Sequence, residues 1–393
     1  MGVEELRKPV RYIKGISTEA GFDADTIVVE HRSNNPKRDY LFVNKHQCKH
    51  IPCSPSKMIS MCDKLSSIIN QRVSNKGRIL AIGFAETATA IGEIVARKVK
   101  NCDYIMQTTR ESVDGSKQLI SFEEEHSHAT TQLLLTYADN EHALNTNEYD
   151  YILFIEDEIS TGNTIMNFIN EFKKINSSMS YGVASVCNWQ DEENKQRFVE
   201  AGVDTFCLIS GEIVDSNAKM GVSDDNICRT TNVFNTDKTF GITDCRVGNK
   251  FRTFRLGHIN KEEDTKRIFE TAEQLVRKTG ASSVRVVGTE EFMYLPIMIA
   301  HHIEQTFNCD VVCHSTTRSS IDVLGEYNKD FSNMICTKHK LHSIYDDCRC
   351  TYIYNTDLSR DLVIVVTDTT ISKENIEEFV KAFNTKHLEI FYV

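Results

Sequence analysis

At 393 residues the chain is long enough to form two domains, each with its own hydrophobic core. Its net charge of −11 argues against non-specific binding to nucleic acid, and no apolar run approaches the ~20 residues that a membrane-spanning helix needs. The 13 cysteines are odd in number, scattered, and without the paired spacing of a zinc site. We therefore expect a cytoplasmic protein with reduced thiols, and neither a membrane nor nucleic acid as its partner.

The most informative stretch of the chain runs from residue 151 to residue 164. Five apolar residues, 151–155, predict a buried strand of a parallel sheet, and Glu156 and Asp157 follow at its carboxyl end. A loop of Ser, Thr and Gly then opens a helical pattern, and such a loop offers hydroxyls and backbone N–H groups to a phosphate. The two acids would repel a phosphate, whereas their oxygens suit the vicinal hydroxyls of a ribose. The sequence therefore predicts a site for a ribose 5-phosphate.

This order of strand, acid pair, Thr161-Gly162 and helix resembles the phosphoribosyl pyrophosphate (PRPP) motif of type I, orotate-like phosphoribosyltransferases. The resemblance implies that Glu156 and Asp157 bind the 2- and 3-hydroxyls of the ribose. It also implies that the following residues wrap the 5-phosphate: Glu158, Ile159, Ser160, Thr161, Gly162, Asn163 and Thr164. The alternative is an ordinary α/β turn whose acids are solvated and whose hydroxyls cap a helix.

Two upstream segments fit the same resemblance. Residues 78–84 predict a strand that ends near a glycine, and the loop after it resembles the pyrophosphate loop of the family, with Phe84, Ala85, Glu86 and Thr87 as its residues. A second predicted strand, beginning at Tyr104, delivers Arg110 to the same edge of the sheet. The family places a basic residue here to hold pyrophosphate, and the planar guanidinium matches phosphate oxygens.

Residues 112–131 are polar and acidic, and they occupy the position of the family's flexible loop, which closes over the reacting centre. Lys117, His126 and His128 are the candidates to reach the pyrophosphate or the leaving group. The acidic run 123–125 departs from what such a loop would need. The two histidines could also suggest a metal site, but no third ligand is apparent.

The segments outside the core sheet form a hood that selects the base in type I enzymes, and we place the hood at about 22–58. Arg38, Lys45 and His50 are its candidates for contact with the acceptor. Their alternative roles are those of surface charges or structural polar residues.

The second half of the chain repeats the order of elements in the first. Thr316-Thr317-Arg318 corresponds to Thr108-Thr109-Arg110, and the apolar segment that begins at Leu362 corresponds to the one that begins at Ile152, with Asp368 aligned with Asp157. Lysine and glutamate replace the Thr-Gly pair of the phosphate loop, and a threonine replaces the first acid. We therefore predict a degenerate phosphoribosyltransferase-like repeat that has lost its phosphate loop. The alternative is that any two α/β units look alike at this level.

Residues 288–296 and 315–321 also resemble the TRSP domain, which accompanies this phosphoribosyltransferase type in bacterial gene clusters associated with tellurite resistance and stress. Ser320 departs from the pattern, since the name of the domain would place proline there. The candidates for a second site are Glu290, Glu291, Tyr294, Thr317, Arg318 and Asp368. The alternative is that Phe292, Met293 and Leu295 simply pack a helix onto the sheet.

We predict an α/β protein in which residues 1–245 adopt the type I phosphoribosyltransferase fold, a parallel sheet flanked by helices with a hood. Residues 246–393 form a second, TRSP-like α/β domain. The resemblance implies a pentosyltransferase of nucleotide metabolism that moves a 5-phosphoribosyl group between PRPP and a nitrogenous base, with pyrophosphate as co-product. The catalytic candidates are Glu156, Asp157, Arg110 and Lys117.

The expected cofactor is Mg²⁺, which arrives with PRPP and needs no dedicated protein cage, with Asp157 as the candidate protein ligand. The resemblance also implies a homodimer whose partners are PRPP and a small-molecule base. Two other hypotheses remain: a non-catalytic PRPP- or nucleotide-binding regulatory or scaffold protein, and a second domain that acts as a separate enzyme or nucleotide-binding module.

Overall fold

A computed structural model describes residues 11–32, 40–123, 131–137, 145–215, 238–260, 265–323 and 335–393. The elements up to residue 215 are β1 (Arg11–Thr18), β2 (Ile27–His31), β3 (Tyr40–Asn44), α1 (Pro55–Arg72), β4 (Ile79–Gly83), α2 (Thr89–Lys98), β5 (Cys102–Thr109), β6 (Ser116–Glu123), β7 (Thr131–Tyr137), β8 (Tyr151–Ile159), α3 (Asn163–Ile175), β9 (Ser180–Asn188), α4 (Glu192–Glu200) and β10 (Val203–Asp215). The elements that follow are β11 (Thr239–Asp244), β12 (His258–Ile259), α5 (Lys266–Thr279), β13 (Ser283–Gly288), α6 (Tyr294–Thr306), β14 (Asp310–Ser315), β15 (Lys338–His342), β16 (Cys350–Tyr354), β17 (Arg360–Thr367), α7 (Lys373–Ala382) and β18 (Thr385–Tyr392).

The first half is built on a sheet with the strand order β1-β10-β9-β8-β4-β5-β7-β6. Its five central strands, β10 to β5, run parallel, while β1, β7 and β6 are antiparallel to their neighbours at the two edges. Alternate residues of the central strands pack against α1 and α2 on one face and against α3 and α4 on the other. Burial on both faces explains why these strands are continuous apolar runs.

The second half is built on a five-stranded parallel sheet with the order β11-β18-β17-β13-β14. Helices α5 and α6 cover one face, while α7 and the β15–β16 hairpin cover the other. The predicted α/β architecture, a mostly parallel sheet with a second α/β domain, is confirmed. The second sheet begins with β11, ahead of residue 246 at which the sequence places the second domain.

The two halves have the same core topology. The order β9-β8-β4-β5 in the first sheet matches β18-β17-β13-β14 in the second, with all of these strands parallel. In each half a β-hairpin, β6–β7 or β15–β16, is inserted in the chain before the strand, β8 or β17, that carries or directly precedes the aligned aspartate. This arrangement agrees with the predicted repeat.

One segment differs from its predicted structure. Residues 112–131 were expected to form a flexible loop, yet 116–123 form strand β6, which pairs antiparallel with β7. The physical reason is hydrophobic: Ile120 and Leu134 are buried in the core on this side of the sheet. His126, His128 and Arg38 lie outside the described residues.

The two halves share a core. One hydrophobic cluster contains Leu65 of α1, Ile91 of α2 and Ile297 and Ile303 of α6, and α6 packs against both α1 and α2. The β2–β3 hairpin lies within the predicted hood, and its Val43 packs with residues of the second half. No helix of the described part of the chain combines the length and apolarity that crossing a lipid bilayer requires.

Candidate functional site

Three of the predicted site segments meet at one edge of the first sheet. Gly83 at the end of β4 pairs with Ile155 of β8 on one side and with Gln107 of β5 on the other. Because these strands are parallel, the residues that follow them emerge at the same edge. The acid pair, the loop 84–87 and Arg110 are therefore neighbours, as the sequence predicts.

The acid pair belongs to strand β8, which is longer than predicted. The strand continues beyond Ile155 to Ile159 and remains paired with β9. Glu156, Asp157 and Glu158 are half-buried, while Ile159 is buried. The Gln47 side-chain amide donates to Asp157 Oδ2 at 3.2 Å and to the Thr87 carbonyl oxygen at 2.9 Å, so it links the acid pair to the loop after β4.

The loop between β8 and α3 is reduced to residues 160–162, and Gly162 is required there for two reasons. Its φ of 72° lies in the left-handed region, and a Cβ atom would stand 2.4 Å from Phe198 Cζ. Thr161 is exposed, and its hydroxyl accepts from the Asn163 N–H at 3.3 Å. As the residue before helix α3, Gly162 supplies no side-chain cap, which leaves the helix N-terminus suited to an anionic ligand.

An arginine of helix α4, which the sequence analysis did not identify, holds this loop in position. Arg197 of α4 donates to the Thr161 carbonyl oxygen at 2.6 Å and to Asn163 Oδ1 at 2.8 Å. Its only sequence signal is a place in a charged helix next to the motif. The loop is thus anchored through its backbone, while the Thr161 side chain faces solvent.

The loop 84–87 is held firmly by the protein around it. Phe84 is buried against Phe154 and Phe168, with ring centroids 5.9 and 5.3 Å away, so its side chain belongs to the core. The Ala85 N–H donates to Thr108 Oγ1 at 2.9 Å, and the Ala85 carbonyl oxygen accepts from Gln132 at 3.2 Å. The peptide bond between Ala85 and Glu86 is cis.

Glu86 faces a buried lysine that the sequence analysis passed over. Lys49 Nζ lies 2.7 Å from Glu86 Oε1, and it donates to the carbonyl oxygens of Glu290 at 2.6 Å and Thr316 at 2.9 Å. Burial alone would raise the pKa of Glu86, but the charges of Lys49 and Arg318 outweigh it and hold that pKa at about 2. Glu86 is therefore ionised, and Lys49 joins the loop to the second half of the chain.

Arg110 stands at the end of β5 with its backbone fixed and its side chain available. Its N–H donates to Glu291 Oε1 at 3.1 Å. Its guanidinium is half-buried, and the Nε atom has no hydrogen-bond partner among the residues that the structure describes. A buried donor without a partner is costly, so this arginine is suited to an anionic ligand.

Charged side chains of both halves meet in a buried cluster beside Arg110. Arg318 Nε donates to Glu290 Oε2 at 2.9 Å, its Nη2 donates to Glu291 Oε1 at 3.2 Å, and it also contacts Glu111. We call this group the interdomain charge cluster, and its members are Lys49, Glu86, Glu111, Arg255, Glu290, Glu291, Arg318, Arg349 and Asp368. With Arg110 included, its positive and negative charges are equal in number, as buried charges require.

The candidate second site is filled by the protein's own side chains. Asp368, aligned with Asp157, forms a buried ion pair with Arg255 and accepts from the Tyr345 hydroxyl at 2.6 Å. The Arg255 guanidinium also stacks over the Tyr345 ring, 4.5 Å from its centroid. These contacts agree with the predicted loss of phosphate binding in the second half.

The other candidates have local structural partners. Tyr294 packs edge-on against Phe254 and under the Arg97 guanidinium. Thr317 is fully buried, and its backbone pairs with that of Tyr352. Lys117 is exposed on β6, which β7 separates from β5 in the sheet.

Of the predicted hood contacts, the structure describes His50 and Lys45. Burial and the charge of Lys49 lower the pKa of His50 to about 3, so this buried histidine is neutral. Its ring centroid lies 6.3 Å from that of Tyr354 in the second half, which indicates a structural role. Lys45 is half-exposed.

Oxygen ligands for a metal are few in this region. The described residues contain no group of three or more His, Cys, Asp or Glu side chains arranged to hold a metal ion. The half-buried carboxylates of Glu156 and Asp157 are hard oxygen donors of the kind that Mg²⁺ accepts. They suit a magnesium ion that takes its remaining ligands from the substrate and from water.

The fold and this sheet edge define an α/β protein with a candidate ligand-binding edge, followed by a second sheet of the same core topology. Residues 29–212 match the phosphoribosyl transferase family PRTase_2, and residues 252–383 match the TRSP domain that lies C-terminal to it. The chain thus combines a region of the phosphoribosyl transferase family with a TRSP domain. The predicted combination of the two is confirmed.

Individual relatives are distant. The chain is 31% identical to a hypoxanthine/guanine phosphoribosyltransferase of Methanothermus fervidus over 74 residues, which are 19% of this chain and 38% of that protein. Among solved structures, adenine phosphoribosyltransferase from Trypanosoma brucei has a TM-score of 0.33 and 11% identity, covering 47% of this chain and 76% of its own. Orotate phosphoribosyltransferase from Aeropyrum pernix has a TM-score of 0.30 and 10% identity, covering 47% and 88%.

Proposed function

We propose that the chain is an enzyme that transfers a 5-phosphoribosyl group between PRPP and a nitrogenous base, with pyrophosphate as co-product. The observation that carries this proposal is the meeting of three features at one sheet edge: the half-buried acid pair, the exposed Thr161 before helix α3, and the available Arg110 guanidinium. The family match and the similarity to nucleobase phosphoribosyltransferases support the same reaction class.

The ribose 5-phosphate half of PRPP is assigned to the loop after β8. Glu156 and Asp157 accept hydrogen bonds from the 2- and 3-hydroxyls, while residues 158–164 surround the 5-phosphate with hydroxyls and backbone N–H groups. Gln47 holds the Asp157 carboxylate through Oδ2, which leaves the second oxygen for a ribose hydroxyl. Arg197 keeps the loop in place from behind.

The pyrophosphate half is assigned to the neighbouring segments. Arg110 pairs with the pyrophosphate oxygens, and the pyrophosphate lies against the loop 84–87. Displacement at the anomeric carbon develops positive charge on the ribose ring, which the carboxylates of Glu156 and Asp157 stabilise. Arg110 stabilises the negative charge on the departing pyrophosphate, and the reaction needs no covalent intermediate.

Magnesium is part of this proposal as a companion of the substrate. When bound with PRPP, Mg²⁺ neutralises pyrophosphate charge and polarises the bond to the leaving group. Asp157, with Glu156 beside it, is the residue that would contact the ion. The cytoplasmic location, the homodimer and the link to tellurite-resistance gene clusters remain predictions.

One observation favours a second candidate, a protein that binds PRPP without turnover. A catalytic lid over the site was expected in residues 112–131, and part of that segment is a paired strand with Lys117 exposed. A sensor has no use for a closing lid.

Pyrophosphate release separates the two functions. The full chain is mixed with PRPP, magnesium and a panel of purine and pyrimidine bases, and pyrophosphate is measured in a coupled assay. We expect base-dependent release that the Glu156→Gln/Asp157→Asn double variant lowers by a factor of ~10² or more. Glu171→Gln on the exposed face of α3 is the matched control, since among the described residues its carboxylate pairs with Lys174 alone, at the surface. PRPP binding with no release in the presence of any base would support the sensor.

A further inference from the structure

Each half of the chain contributes a short β-segment that pairs with a strand in the sheet of the other half. Cys53, which precedes the first long helix of its half, pairs antiparallel with Cys313 of β14, with N–H···O distances of 3.1 and 2.8 Å. Strand β12, which precedes the first helix of the second half, pairs antiparallel with β5 at Tyr104 and Ile105. The two exchanges occupy matching positions in the repeat.

The loops after the matching strands β4 and β13 make reciprocal contacts, each with an arginine of the other half. Glu86 is the third residue after β4, and its carboxylate accepts from the Arg318 N–H at 3.3 Å. Glu291 is the third residue after β13, and its carboxylate accepts from the Arg110 N–H at 3.1 Å. Arg110 and Arg318 are the aligned arginines, so each loop holds the arginine of the other half.

A cation supports each of these glutamates from its own half. Lys49 Nζ lies 2.7 Å from Glu86, and Arg255 Nε lies 3.3 Å from Glu291. Lys49 and Arg255 each lie a few residues ahead of the exchanged backbone segment. Contacts in which residue i meets j and j meets i are the signature of a two-fold interface between identical subunits. Here the same pattern occurs within one polypeptide.

We propose that the TRSP half is a built-in partner subunit, occupying the place of a second copy of the first half and holding its pyrophosphate-binding edge in position through Arg318 and Glu291. The chain is then a monomer in solution, and this inference replaces the homodimer that the sequence predicts. Arg255 and Tyr345 fill the site of the second half, so each chain has one functional site. The positioning role of Arg318 and Glu291 rests on the proposed function, whereas the monomeric state does not.

Arg318 acts on the site through its neighbours. It contacts the carboxylates of Glu86, Glu111, Glu290 and Glu291, all of which are buried. Removing its charge leaves the interdomain charge cluster and Arg110 together with one negative charge in excess. Pyrophosphate, which is highly anionic, would then bind less well, while ribose 5-phosphate, bound by the loop after β8, would be little affected.

The oligomeric state is measured by sedimentation equilibrium of the full chain from submicromolar to tens of micromolar concentration. We expect a single species with the 44.8 kDa mass of one chain throughout. A mass near twice that value, populated at micromolar concentration, would overturn the built-in partner.

The positioning role is measured by calorimetric titration of the full chain with pyrophosphate plus magnesium and, separately, with ribose 5-phosphate. For Arg318→Gln we expect a pyrophosphate Kd that is raised at least about tenfold and a ribose 5-phosphate Kd within about twofold of the original. Arg318→Lys, which keeps the charge, restores most of the pyrophosphate affinity, and an equal loss in the lysine and glutamine variants would overturn the role of that charge. Arg277→Gln, at an exposed α5 ion pair with Glu273, is the matched control.

The outcomes of this titration separate two failures. Equal weakening of both ligands, or unchanged pyrophosphate binding in Arg318→Gln, overturns the positioning role. If the unaltered chain binds neither ligand, the proposed function fails, and the sedimentation result still decides whether the TRSP half replaces a partner subunit.

Discussion

Gly162 is the residue at which the backbone of the candidate site depends most on the absence of a side chain. We predict that Gly162→Ala lowers the free energy of unfolding by ~2–4 kcal/mol, because it adds left-handed strain to a collision with Phe198. Gly202→Ala is the matched control, since Gly202 has a φ of 68° and open space around its Cβ position. Urea unfolding of both variants measures the difference, and equal losses would show that Phe198 does not constrain the loop.

His258 of β12 and Glu93 of α2 form a pH-sensitive pair where the halves meet, with Nε2 3.0 Å from Oε1. Burial alone would lower the pKa of His258, but Glu93 outweighs it and raises that pKa above 6.5. Burial would raise the pKa of Glu93, yet His258 and Arg97 hold it below 4.5. The ion pair therefore contributes most to stability at pH values between the pKa of Glu93 and that of His258. The contribution of His258 is lost as the pH rises through its raised pKa.

We predict that His258→Gln costs more stability at about pH 6 than at about pH 8.5. Urea unfolding of the original chain and of the variant gives the difference in their free energies of unfolding at each pH. The titration of other groups affects both chains and cancels in that difference. A cost that is the same at both values, or larger at the higher one, would contradict the assignment of charge to this pair.

The segment between β3 and α1 is the element that connects the hood, the site and the second half. Within a few residues it supplies Gln47 to Asp157, Lys49 to Glu86 and the Cys53 backbone to β14. We predict that Lys49→Met lowers the free energy of unfolding by ~3–5 kcal/mol, because it leaves the Glu86 carboxylate buried without its nearest cation. Adding Glu86→Gln should recover part of that loss.

A double-mutant cycle by urea unfolding tests this coupling of Lys49 and Glu86. Additive effects of the two substitutions would show that the pair does not interact. Lys57→Met in α1 is the control, since Lys57 forms no ion pair with Glu86 in the part of the chain that the structure describes.

Elements with a strong apolar signal were predictable, and those defined by long-range contacts were not. Strand β8 and helix α3 follow from their apolar pattern, and Ile165, Phe168, Ile169 and Phe172 are all buried. The β6–β7 hairpin was missed because the buried positions of β6 are few and lie among polar residues. Lys49 was missed because lysine is rarely buried, and its one signal is the match with Arg255 in the repeat.

At the scale of the whole molecule, the interdomain charge cluster and the shared core predict that the two halves unfold together. The chain has a single tryptophan, Trp189, which is buried in the first half, whereas far-ultraviolet circular dichroism reports on both halves. We predict coincident urea transitions by Trp189 fluorescence and by circular dichroism. A dichroism transition that occurs where the fluorescence is flat would show that the second half unfolds separately.

The repeat could be predicted from the order of elements, but the way the halves meet could not. Aligned motifs such as Thr-Thr-Arg indicate two similar sheets, and the strand orders agree. The reciprocal contacts of Glu86 with Arg318 and of Glu291 with Arg110 depend on how the sheets are placed in space. One sequence carries no signal for that placement, since it assigns Glu86 and Glu291 to two separate candidate sites, each within its own half.

The most direct test of the account is whether the acid pair binds a phosphorylated ribose. Calorimetric titration of the full chain with PRPP and magnesium should give saturable binding at one site per chain. The Glu156→Gln/Asp157→Asn double variant should bind at least about tenfold more weakly, while Glu171→Gln binds as the original chain does. No saturable binding, or undiminished binding in the double variant, would contradict the account.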